Sequence, residues 1–65
     1  MDEHQLRVLA EKEELDERIN SLSDFIDNNH IFKMLDSDEQ LRLIDQLRVM
    51  LELTEILGER IDAFS

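Results

Sequence analysis

Along the second half of the chain, Leu43, Leu47, Met50, Thr54, Leu57, Ile61 and Phe64 recur at alternating spacings of four and three. That is a heptad seam, the pattern that keeps one stripe of a helix facing a partner helix. One member, Thr54, is polar. A companion stripe runs through the first half at Val8, Lys12, Leu15, Ile19, Leu22 and Ile26, and its exception is a lysine. Two seamed segments predict an all-α fold: a long antiparallel helical hairpin, one domain over residues 1–65.

Capping residues place the breaks. Asp2 is a cap for a first helix running to about Asp27, with Glu3 at its positive end. Glu3 with Arg7, and Glu14 with Arg18, stand four apart in the order that favours ion pairing. Asp27-Asn28-Asn29-His30 is a turn signal, because these side chains bond their own backbone. Ile31 to Leu35 predicts one helical turn plugging the hairpin end. Ser37 followed by Gln40 reads as a capping box that opens a second helix, which continues to about Ala63. Each long helix spans about 40 Å at 1.5 Å per residue. Gly58, the only glycine, either costs about 1 kcal/mol relative to alanine or permits close packing.

The second helix has a further apolar row, Val49, Leu53 and Ile56, flanked by Gln46 and Arg60. The hairpin partner covers the seam, but two helices cannot surround a face this wide. The row therefore predicts a symmetric homo-oligomer. An antiparallel dimer forming a four-helix bundle is the simplest form, and higher symmetric assemblies stay open.

Composition narrows the functions. Sixty-five residues lie near the size at which one core is marginal. The chain has no cysteine, hence no disulfide framework or thiolate metal site. A net charge of −10 argues against DNA or RNA polymers, whose binding rests on many cation–phosphate contacts. It also disfavours anionic membranes. A small phosphorylated ligand held by two or three cations stays compatible, and most of the acids read as a solubilising surface. No apolar run approaches the roughly 20 residues that span a bilayer. Met-Asp-Glu-His at the start has no signal-peptide character. The expectation is a cytosolic protein.

No enzymatic constellation is visible, and neither a metal nor another cofactor is called for. His4 and His30 sit at opposite ends of the first helix, outside any metal-ligand spacing. Lys12 has two readings. It either sends its ammonium to water or sets register as a polar seam residue, or it faces an inter-subunit pocket as a phosphate-binding cation. Arg7 and Arg18 read first as surface ion pairs, which are worth little. Arg60 suits the negative end of the second helix and lies beside the second apolar row. A subunit junction there would gather several guanidiniums around one anion. Asn20, Ser21 and Thr54 could add neutral hydrogen bonds.

The chain resembles a family of small phage anti-defence proteins. They share the hairpin domain of a cyclic-nucleotide anti-CBASS sponge, found also at the start of a Thoeris anti-defence protein. The residues that carry the resemblance are Arg7-Val8, Glu11-Lys12, Leu15, Leu22, Phe25 and Ile26 in the first helix, and Phe32 and Leu35 in the plug. In the second helix they are Gln40, Leu43, Gln46-Leu47, Met50, Leu57 and Arg60-Ile61. The resemblance implies a homo-oligomer, a hexamer in characterised relatives, that sequesters cyclic di- or trinucleotide messengers without cleaving them. It would act in the host bacterial cytoplasm. It also implies roles: His4, where relatives often carry tyrosine, stacking on a base; Arg7, Lys12 or Arg18 meeting phosphates; Arg60 lining a site near a three-fold axis. Leu53 departs from the pattern, standing where relatives often carry tyrosine. The chain also ends at Ser65 without the sheet domain of the Thoeris inhibitor, so a signal bound by that domain is not expected here. The alternative expectation is a non-enzymatic interaction module whose second apolar row docks a partner's helix.

Overall fold

A computed structural model describes residues 1–64; Ser65, the last residue of the expected domain range, lies outside the described residues. Three helices follow in order: α1 over Glu3–Asn28, α2 over His30–Met34 and α3 over Ser37–Asp62. The long helices α1 and α3 pack antiparallel, and the molecule measures 46 × 15 × 14 Å. The hairpin, the single-turn plug and the helix bounds agree with the sequence reading to within a residue or two.

At the start of α1, the Asp2 carboxylate accepts from the Gln5 backbone N–H at 2.9 Å. The Gln5 side chain in turn accepts from the Asp2 N–H at 3.2 Å. Two N–H groups that no helical carbonyl can reach are satisfied this way. Asn29 both closes α1 and caps α2: its N–H reaches the Phe25 carbonyl and its side chain accepts from the Ile31 N–H.

One expectation is corrected at the second cap. The N-cap of α3 is Asp36, whose side chain accepts from the Asp38 N–H at 3.0 Å, and Ser37 is already inside the helix. Gln40 does not complete a capping box. Its amide donates back to the carbonyls of Phe32 and Leu35 at 3.0 and 3.1 Å, with a longer bond of 3.4 Å to Lys33. The Leu35 N–H already serves the Phe32 carbonyl at 3.2 Å, the short α2 ends before the Lys33 and Leu35 carbonyls find backbone partners, and Gln40 latches all three to α3. Beneath the latch, the buried Phe32 meets Phe25 edge-on at 6.1 Å.

Along the seam the core gathers Val8, Leu15, Ile19 and Leu57, with Leu47, Met50, Ile61 and Phe64 packed against it. Each member of both stripes is buried or half-buried. That core is thin for the chain. The accessible surface is 4999 Å², against about 4,300 Å² for a compact monomer of this mass. The radius of gyration is 14.7 Å, where a compact chain of this length gives about 11 Å. No helix among the described residues is long and apolar enough to cross a membrane.

Candidate functional site

The two polar exceptions in the stripes meet. Lys12 Nζ lies 2.8 Å from Asp16 Oδ2, and Thr54 Oγ1 donates to Asp16 Oδ1, so one carboxylate bridges both seams. Thirty-eight residues separate Asp16 from Thr54 in the chain, which makes this a cross-link between α1 and α3. The Lys12 ammonium and the Thr54 hydroxyl hold the Asp16 carboxyl below its ordinary value, the lysine contributing most. One turn further on, Gly58 faces the lysine stem. A Cβ added there would meet Lys12 Cε at 3.5 Å, an ordinary contact.

Beside this bridge an open groove of about 480 Å³ lies between α1 and α3, lined by Glu17, Arg18, Ser21, Leu22, Gln46 and Met50. Leu22 and Met50 belong to the seams and provide apolar surface. Arg18, Ser21 and Gln46 add hydrogen-bond donors, and Glu17 adds an opposing negative charge. The expected Glu14–Arg18 ion pair does not form among the described residues, so the guanidinium stays available to the groove. Such a surface suits a ligand with a flat apolar body and an anionic edge. Open on one side and holding one cation, it does not enclose such a ligand by itself.

The other expected site residues are dispersed. His4 is exposed on the first turn of α1. Arg7 is engaged by Glu3 at 2.6 Å on an open surface, as the sequence spacing predicted. Lys12 is held by Asp16, with 30% of its side chain exposed, and it is separated from Arg18 by about 9 Å of helix rise. Arg60 is exposed in the last turn of α3. The antiparallel register places Arg60 at the same end of the hairpin as His4 and Arg7, away from the groove. Among the described residues no three histidine or acidic side chains gather as metal ligands.

Sequence reasoning missed Asp16, which no apolar pattern marks. Its position four residues after Lys12 was the available signal, although lysine-before-acid is the weaker order on a helix. It also missed Glu17, which reads as one more surface acid, and Gln46, which reads as a flank of the second apolar row, as groove residues.

A family model described as Sequestin matches residues 2–63. Searches of curated proteins and of solved structures found no match.

Proposed function

The chain belongs to the Sequestin family, and from that membership we propose that it is a non-enzymatic phage immune-evasion sponge. It binds cyclic di- or trinucleotide messengers, leaves them uncleaved, and so starves the effectors of CBASS-type signalling in the host bacterial cytoplasm. The observation that carries this reading is the family match over residues 2–63, in a family named for sequestration.

Two features support it. The long hairpin leaves apolar rows of α3 exposed, as expected of a protomer that completes its core in a symmetric homo-oligomer, with a hexamer implied by the family resemblance. The groove beside Arg18 is open on one side, so a neighbouring copy would close it and bring further cations. Lys12 and Arg7 are held by acids of their own chain, which leaves Arg18, the cation that lines the groove, as the stronger phosphate contact. The charge of −10 opposes an anionic ligand at long range, so these pocket cations must act locally.

Calorimetry against a panel of cyclic di- and trinucleotides tests the reading, followed by heating and analysis of the released ligand. Saturable binding with intact ligand on release is the expected outcome, and association should quicken as added salt screens the repulsion. A chemically altered ligand would point to an enzyme. Silence across the panel would shift the assignment to a protein-interaction module, for which the exposed Val49, Leu53 and Ile56 row is the docking face.

A further inference from the structure

Helix α3 leaves apolar surface on both flanks of its seam. Val49, Leu53 and Ile56 are 51%, 41% and 51% exposed on one side, while Ile44 and Leu51 are exposed on the other. The first row, the longer of the two, is self-complementary when turned end for end. Asp45 lies one turn before Val49, and Arg60 lies one turn after Ile56. A parallel in-register pairing of two such rows sets Arg60 on Arg60 and Asp45 on Asp45, which is repulsive. An antiparallel pairing sets opposite charges together at both ends.

We propose that α3 pairs antiparallel with α3 of a second copy of this chain, about a dyad passing between Glu52 and Leu53. In that register Val49 packs on the partner's Ile56, and Leu53 lies within one residue of the dyad and packs on the partner's Leu53. Arg60 reaches the partner's Asp45. Among the described residues of its own chain Asp45 has only a long contact, 3.7 Å, to an Arg48 that also holds Glu52 at 3.2 Å, so the carboxylate can accept a second cation. Burial of the apolar row drives the contact, and the two symmetric ion pairs fix its direction and register. The proposal rests on the self-assembly in the reading above and is independent of the ligand.

The chain has no cysteine, so single thiols report the register cleanly. Under mild oxidation Leu53→Cys should cross-link to itself efficiently. Val49→Cys should not, because two copies of it lie about 10 Å apart along the axis in this pairing. An equimolar mixture of Val49→Cys and Ile56→Cys should cross-link. Arg60→Asp should weaken self-association roughly tenfold or more through like-charge contact, and adding Asp45→Arg should restore it. Helix content by circular dichroism confirms that each variant is folded. A solution mass of 7.7 kDa for the unmodified chain overturns the proposal. So does cross-linking of Val49→Cys alone as efficient as that of Leu53→Cys. Nucleotide binding without cross-linking at Leu53 overturns this pairing only, whereas cross-linking without binding overturns only the sponge.

Discussion

The two long helices are both 26 residues, yet they use their apolar residues differently. On α1, Val8, Leu15 and Ile19 are buried, and Leu6 is the one large apolar side chain left mostly exposed. On α3 only Leu57 is buried, and Leu41, Ile44, Val49, Leu51, Leu53 and Ile56 remain open. Helix α1 is made for one neighbour, with a narrow apolar stripe and charge elsewhere. Helix α3 carries the same stripe plus flanks that its own chain cannot reach. The hairpin's stability and the assembly proposed for it therefore rest on different residues and can be perturbed separately.

The largest effect should come from the shared seam. Leu57 is 1% exposed and surrounded by α1, so Leu57→Ala should cost about 3–4 kcal/mol through lost burial and a residual cavity. Leu53→Ala, one turn away on the flank, should cost the hairpin itself well under about 1 kcal/mol. Its effect should appear in the concentration dependence of unfolding, because association and folding are linked. Denaturant titrations at several protein concentrations separate the two. Equal losses at every concentration would erase the distinction between stripe and flank.

Next is the latch at the turn end. Gln40→Ala removes the amide that serves the Phe32 and Leu35 carbonyls, and it should cost about 1–2 kcal/mol. Amide exchange should quicken around α2 while the middle of α1 stays protected. This element also marks the limit of what the sequence disclosed. Heptad spacing located both stripes, and Asp2 marked the first cap, because periodicity and capping are local and repeat in the chain. Ser37 with Gln40 matched a capping box equally well, yet Asp36 took the cap. The carbonyls at the end of α2 drew Gln40 away, a tertiary demand invisible to the pattern. Among the site residues, Lys12 and Thr54 stood out singly as polar seam members. That Asp16 joins them depends on the register between the helices, which no single stripe encodes. The groove depends likewise on which faces of α1 and α3 come together.

The Asp16 bridge gives a smaller, pH-dependent effect. Its carboxyl is held below the ordinary value in the folded state by Lys12 and then Thr54. The stability it contributes is thus present above the ordinary carboxylate value and is lost as pH falls through the lowered folded one. Asp16→Asn should therefore destabilise the hairpin at neutral pH, and the gap from the unmodified chain should close under acid. The difference between the two pH–stability curves isolates this group from the other carboxylates. A gap that persists unchanged at low pH would mean that the bridge contributes through packing, not charge.

Gly58 should give the smallest change, and in the opposite direction. A glycine in mid-helix loses more backbone freedom on folding than alanine does, and this one has no positive φ to require it. Among the described residues only the far end of a flexible lysine stands near, at a distance typical of ordinary contact. Gly58→Ala should therefore raise stability by about 0.5–1 kcal/mol, read as a higher denaturation midpoint with an unchanged slope. If stability falls instead, the missing Cβ is needed for a close approach that the single hairpin does not contain. Since α1 leaves room at this position, the approach would have to come from another copy of the chain. A loss at Gly58 that disappears on dilution would place that copy against the α1-facing edge of α3, opposite the row of Val49, Leu53 and Ile56.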